Sequence, residues 1–141
     1  MPEILLAEDN PADVYLIREA LKEHHVDCSV RVASDGQEVL RIIAGETTGD
    51  TAQRLRLIIL DLNLPRHDGI EILERLRDTN TMSGVPVVIL TSSDSPRDRL
   101  LASQLGATRY LRKPSSLEQF LDLGAVFKDL LGQGSPNAAD L

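Results

Sequence analysis

A chain of 141 residues with a formal net charge of -7 and only 3% aromatic side chains lacks the basic surface and stacking platforms that direct binding of DNA or RNA calls for. Its single cysteine, Cys28, excludes an intramolecular disulfide framework, and no run approaches the ~18 consecutive apolar residues of a membrane span. The opening "MPEILLAEDN" is too acidic and too briefly apolar for a secretory signal, so a reducing, cytoplasmic setting is expected, with one domain able to bury roughly 68–70% of its unfolded surface.

Taken in chain order, apolar runs alternate with helical patterns. "EILLAE" leads into "PADVYLIREALKEHH", where Asn10 can cap the helix and Pro11 takes its first position. In "CSVRVA", Cys28, Val30 and Val32 alternate with Ser29 and Arg31, as an edge strand should; Cys28 then points inward as a packed, inert thiol. The helical "DGQEVLRIIAGE" is followed by a polar connection, "GETTGDTAQ". "LRLIILD" and "VPVVILT" are almost wholly apolar, which suits central strands covered on both faces. Between them lie the helical "GIEILERLRD" and a second polar connection, "TNTMSG". "SPRDRLLASQLG", "TRYLRK" and "SSLEQFLDLGAVFKDLL" complete the series, with Ser95 and Asp98, or Ser115 and Glu118, spaced as capping boxes.

Five such units predict βαβ crossovers and a doubly wound parallel α/β sheet. The final helix carries one apolar stripe, Leu117, Phe120, Leu121, Gly124, Phe127 and Leu131, spaced to face the sheet. A second stripe, Leu123, Val126 and Leu130, is left for the tail or a partner to cover. From Gly132 onward "GQGSPNAADL" has too little apolar surface to order itself, so a domain over 1–131 and a loose tail over 132–141 are expected.

Ligands of an open parallel sheet gather at the carboxyl ends of its strands. Glu8 and Asp9 end the first strand, Asp61 the third, Thr91 the fourth and Lys113 the fifth. Each has an ordinary reading: the acidic pair as a solvated strand end, Thr91 as a helix-entry hydroxyl, Lys113 as a surface lysine. Asp61 resists one, because a carboxylate closing a strand buried on both faces needs a cation or donors. Three close carboxylates repel one another unless a cation sits among them, and a hard divalent ion such as Mg²⁺ takes oxygen ligands. Lys113 could pair with Asp61 or a phosphoryl oxygen, and Thr91 could donate to the same oxygen. That set is arranged to attack phosphorus and form an aspartyl-phosphate.

"ILLAEDNPAD", "LDLNLPRHDG", "VVILTSS" and "YLRKP" together resemble the receiver domains of two-component response regulators, over about Glu3 to Leu131. The resemblance implies a flavodoxin-like fold, five strands in the order 2-1-3-4-5 with five helices. It implies Asp61 as the acceptor of a phosphoryl group from a sensor histidine kinase. It also implies Mg²⁺ held by Asp9, Asp61 and the backbone carbonyl of Asn63, with Glu8 acting through water, and no other cofactor. Thr91 and Lys113 would contact the phosphoryl group, Tyr110 would move when Thr91 is drawn toward it, and Asn63 and Ser93 would tune dephosphorylation. The chain would then be a phosphorylation switch with autocatalytic transfer and hydrolysis rather than a turnover enzyme. A cis Lys113–Pro114 bond is implied as well.

Association through the fourth and fifth helices and the fifth strand is a further implication, as a homodimer or for kinase docking. Arg109 and Arg112 on that strand could form ion pairs across such an interface or, as charged edge residues, simply prevent unwanted strand pairing. The "EDNPAD" opening without an output domain is similar to the single-domain regulators that partner bacterial phytochrome kinases, and equally compatible with a relay intermediate or a regulator acting by protein contact. His67 stands where receivers usually carry methionine or leucine and reads as a loop variation; His24 and His25 end the first helix, where a cationic form suits the dipole. Two rival readings stay open. An aspartyl-phosphate phosphotransferase or phosphatase would place a second acid two residues after the nucleophile, where Asn63 stands. A flavodoxin-like cofactor binder would want a phosphate-cradling loop where "EDNPAD" presents acids.

Overall fold

Each apolar run is followed by a helix that must cross back over the sheet, so the strands run parallel. The computed structural model describes residues 1–45, 54–79, 82 and 84–133. Among them lie β1 (Glu3–Ala7), α1 (Pro11–Glu23), β2 (Ser29–Ala33), α2 (Gly36–Ile43), β3 (Leu55–Leu60), α3 (Gly69–Asp78), β4 (Val87–Thr91), α4 (Pro96–Gln104), β5 (Arg109–Arg112) and α5 (Leu117–Leu130). The sheet order is β2-β1-β3-β4-β5, all parallel, as expected for a flavodoxin-like fold. Strand order reverses between β1 and β3, which puts the binding crevice at their carboxyl ends.

Side chains alternate across the sheet and feed two cores. Leu5, Ile58, Leu60 and Ile89 face one, closed by Val39 and Ile42 of α2 and Ile72 and Leu76 of α3. Ile4, Leu6, Leu57, Ile59, Val88 and Leu90 face the other, closed by Ile17 and Leu21 of α1 and Phe120 and Phe127 of α5. β3 and β4 are buried on both faces, whereas the edge strands β2 and β5 are only partly covered. Half-buried Cys28 packs on the second core, and burial pushes its thiol pKa up, in keeping with an inert role. No helix among the described residues is long and apolar enough to cross a membrane.

The entry to α1 is as expected, with Asn10 Oδ1 accepting from the Ala12 N–H and Pro11 opening the helix. Ser95 likewise caps α4 through the Asp98 N–H. At α5 the expectation needs correction: the cap is Ser116, which accepts from the Gln119 N–H, because Ser116 is the residue with the extended backbone a cap requires. The Lys113–Pro114 bond is trans rather than cis, in line with the ordinary trans preference of ~0.5–1 kcal/mol.

The two stripes of α5 are also corrected. Leu117 is 61% exposed, while Leu123, assigned to the free stripe, is buried in the core. The reason is α1. Gly124 sits so close to it that an added Cβ would overlap the Ala20 carbonyl oxygen, so the buried arc of α5 turns toward α1 as well as the sheet. Leu130 and Leu131 pack partly against the same core. Of the expected tail, Gln133 exchanges two 2.8 Å hydrogen bonds with the Asp27 backbone, and 134–141 lie outside the described residues. The same holds for 46–53 of the first polar connection and for 80, 81 and 83 of the second.

Gly124→Ala should therefore lower the unfolding free energy by about 1–3 kcal/mol, read from urea midpoints, since the close α1–α5 contact cannot relax around a methyl group. Gly84→Ala, where open space surrounds the backbone, should stay within ~0.5 kcal/mol of the parent.

Candidate functional site

Register builds the site. Ala7 of β1 lies opposite Leu60 of β3, so the next residues, Glu8 and Asp61, leave the sheet side by side. The Asp61 N–H still donates to the Ala7 carbonyl and the Glu8 N–H to that of Ala33, both at 3.0 Å, which fixes both backbones at the strand ends. On the other flank the Lys113 N–H donates to the Thr91 carbonyl at 2.8 Å, holding the lysine just past β5. Glu8, Asp61 and Thr91 are the buried polar or charged residues of the described chain.

At the centre is the Lys113 ammonium, whose side chain is 14% exposed. It donates to Glu8 Oε1 at 2.5 Å, Asp13 Oδ2 at 2.7 Å and Asp61 Oδ2 at 2.8 Å. The other oxygens are engaged too: Asp61 Oδ1 accepts from the Asn63 N–H at 3.0 Å, and Glu8 Oε2 from the Asp9 N–H at 3.1 Å. Asp13 is the member that sequence reasoning missed. It sits in the first turn of α1, where an acid is already explained by the helix dipole, and only the spacing within "EDNPAD" hinted at more.

The electrostatics separate the acids. Burial pushes Glu8 up from about 4.5 to about 8, with the neighbouring Asp61 adding to the rise and Lys113 only partly opposing it. Burial would raise Asp61 as well, but the Lys113 ammonium and the Asn63 N–H outweigh it and hold that carboxyl below the usual range. For Lys113, burial favours the neutral form, yet Asp13, Asp61 and Glu8 together hold it firmly protonated.

Three acids, Glu8, Asp13 and Asp61, surround one ammonium and Asp9 lies beside Glu8 and Asp61, which leaves an excess of acidic groups over cations. Oxygens of Glu8, Asp9 and Asp61 come within 4.8 Å of one another, with Asp9 exposed to solvent and the other two buried. That donor set is all hard oxygen, as a Mg²⁺ site requires.

A second set of contacts leads away from Asp61. The Thr91 hydroxyl oxygen accepts from Asn63 Nδ2 at 3.2 Å and from the Ser93 N–H at 3.3 Å, which leaves its own proton to be donated. The Tyr110 hydroxyl donates to the Ser93 carbonyl at 3.1 Å, and the Arg99 guanidinium lies 4.5 Å from the Tyr110 ring centre. Asp94 pairs with both Arg99 and Arg112. The loop after Asp61 is pinned at both ends. Gly36 N–H donates to Pro65, and Gly69 N–H donates to Leu62 at a contact where a Cβ would lie 2.5 Å from Leu62 Cα. His67 sits in this loop, 3.5 Å from a Glu71 oxygen, and His24 caps the C-terminus of α1, so neither reaches the acidic cluster.

The response regulator receiver domain family matches residues 4–123. Response regulator Rcp1 of Synechocystis sp. is 32% identical over 120 residues, covering 85% of this chain and 82% of that protein. The transcriptional regulatory protein TrcR of Mycobacterium tuberculosis is 37% identical over 118 residues, 84% of this chain but 42% of that protein's length. Among solved structures, the phosphorylated cyanobacterial phytochrome response regulator RcpA aligns with a TM-score of 0.84 at 34% identity, covering 92% of this chain and 93% of that one. The Mn²⁺-bound form of Rcp1 aligns with a TM-score of 0.83 at 30% identity and the same coverage.

The raised Glu8 carboxyl has a measurable consequence in metal-free protein. Glu8 holds its proton more tightly folded than unfolded, so protonation favours the fold in full below about 4.5, and that contribution is lost as pH rises through about 8. Urea unfolding in EDTA should show stability falling from about pH 6 to about pH 9, and Glu8→Gln should remove most of the fall. An identical fall in both proteins would contradict the assignment.

Proposed function

The chain belongs to the response regulator receiver domain family, and from that premise we propose that Asp61 accepts a phosphoryl group from the phosphohistidine of a sensor histidine kinase. The observation that carries the reading is a buried carboxylate at the end of a central strand, 2.8 Å from an ammonium and within 4.8 Å of two further acids. As a receiver the chain is a phosphoacceptor signalling module rather than a classical enzyme.

In the proposed transfer an Asp61 oxygen attacks phosphorus, an O–P bond forms, and the P–N bond breaks with its electron pair leaving on the imidazole. Lys113 and the Thr91 hydroxyl donate to phosphoryl oxygens as charge develops there. Hydrolysis later returns the free carboxylate and inorganic phosphate. Asp9, Asp61 and the Asn63 carbonyl would hold Mg²⁺, with Glu8 acting through water. When bound, the ion supplies positive charge against the clustered acids and the phosphoryl oxygens. Asn63, whose amide already donates to Thr91, and Ser93 flank the phosphoryl position and would tune its hydrolysis.

The switch would run from Thr91 through Ser93 to Tyr110. Drawing the Thr91 hydroxyl toward a phosphoryl oxygen strains its bond from Ser93, whose carbonyl holds the Tyr110 hydroxyl. The surface so altered comprises α4, β5 and α5, where Leu100, Arg109 and Leu117 are exposed and a second copy could pair. Leu123 is buried and takes no part. The likeness to Rcp1 and to the phytochrome response regulator RcpA supports a phytochrome-type kinase as donor, and the single cysteine of the acidic chain is compatible with a cytoplasmic setting.

Incubation with Mg²⁺ and acetyl phosphate should give an acid-stable, base-labile phosphate that EDTA prevents and Asp61→Asn abolishes. Thr91→Ala or Lys113→Met should slow its formation by roughly 100-fold, the usual cost of losing one donor to developing charge. Incorporation that survives Asp61→Asn would overturn the reading.

A further inference from the structure

An ammonium has three N–H donors, and all three of Lys113's are spent on carboxyl oxygens, those of Glu8, Asp13 and Asp61. Two of these partners cannot stay as they are during the proposed reaction. An Asp61 carboxylate that becomes an acyl phosphate, a mixed anhydride, loses its own charge, and the lysine donor it held turns to a phosphoryl oxygen. Glu8 belongs, with Asp9 and Asp61, to the oxygen cluster that a divalent cation would draw in. Asp13 is outside that cluster. It sits on a different element, the first turn of α1, whose entry is locked by the Asn10 cap and whose inner face is buried through Ile17 and Ala20.

We infer that Asp13 is a positioning residue, the fixed anchor that keeps the Lys113 ammonium over Asp61 while its other two donors exchange partners. The need for an anchor follows from the side chain itself. Lysine has a flexible four-carbon stem and a single charged tip, so a lysine at a strand end stays in one place only if its tip is held. β5 ends at Arg112, and the Lys113 backbone bond to Thr91 places the stem but not the ammonium. At 2.7 Å, with its side chain 17% exposed, Asp13 supplies a charge-assisted bond that neither metal nor phosphate displaces.

The inference rests on the reading of Asp61 as the acceptor, and its test separates the two. Asp13→Asn keeps the shape and the helix but weakens the hold on the ammonium. In the chain with Lys113 present, it should slow phosphorylation by acetyl phosphate at saturating Mg²⁺ on the order of tenfold. Introduced beside Lys113→Met, it should change the remaining rate less than about twofold, because its effect passes through the lysine. Equal slowing in both backgrounds, or no slowing where Lys113 is present, would overturn the inference.

A direct signature comes from nuclear magnetic resonance of protein labelled with ¹⁵N only at its three lysines, Lys22, Lys113 and Lys128. The Lys113 ammonium signal should persist, protected from exchange, in EDTA, in Mg²⁺, and in Mg²⁺ with acetyl phosphate. In Asp13→Asn it should vanish once Mg²⁺ and acetyl phosphate are present, and its persistence there would overturn the inference. Should the Lys113→Met rate fall below detection, this signal decides alone. A failure of the Asp61 reading looks different: the parent chain takes up no phosphate, or Asp61→Asn takes up as much. The anchor is then judged on the ammonium signal in Mg²⁺ alone.

Discussion

The contact on which the rest of this structure depends is the one between the Lys113 ammonium and the carboxyl groups of Glu8, Asp13 and Asp61. Ion pairs this far from water stabilise little by themselves, because desolvation offsets much of the attraction. What they supply here is specification. Lys113 follows β5, Glu8 follows β1, Asp61 follows β3 and Asp13 lies in the first turn of α1, and the parallel order with its reversal between β1 and β3 brings the four together. Removing the ammonium would leave buried acids facing one another without a cation.

The same arrangement explains how chemically identical groups come to differ. Glu8 and Asp61 lie side by side, equally buried, yet one is pushed up to about 8 and the other held below the usual range. Lys113 reaches both, and each has a backbone N–H at its second oxygen, from Asp9 for Glu8 and from Asn63 for Asp61. Burial and the neighbouring charge of Asp61 prevail at Glu8, whereas at Asp61 the Lys113 and Asn63 donors and the Glu8 hydrogen bond outweigh burial. In the proposed reaction the ionised carboxylate would supply the nucleophile, and the protonated one beside it would be free to ionise when a cation arrives. Rigid strands supply the precision, and the loop after Asp61, tied at Pro65 and Gly69, supplies the neighbouring donors.

Much of this was legible in the residues. Apolar runs with period two or none, each followed by a helical period, led to the five strands, and asking which polar residues end those strands led to Glu8, Asp9, Asp61, Thr91 and Lys113. What escaped was set by contacts with no local signal. Asp13 lies 100 residues from Lys113, and its place in a helix's first turn already has a sufficient local reason. The rotation of α5, which buries Leu123 and exposes Leu117, follows from how closely Gly124 lets α1 approach, a fact of helix-on-helix packing rather than of period. Ser116 rather than Ser115 caps α5 because of backbone angles at a turn that two adjacent serines cannot distinguish by composition.

The central claim is that these elements converge on Asp61 as the one carboxylate that receives phosphorus. The most direct measurement is chemical trapping: treat the protein with Mg²⁺ and acetyl phosphate, reduce the acyl phosphate with borohydride, and map the reduced residue by peptide mass spectrometry. The account predicts a single reduced position, Asp61, in the peptide that carries "LIILDLNLPR". Reduction at Glu8, Asp9 or Asp13 in place of Asp61 would contradict it.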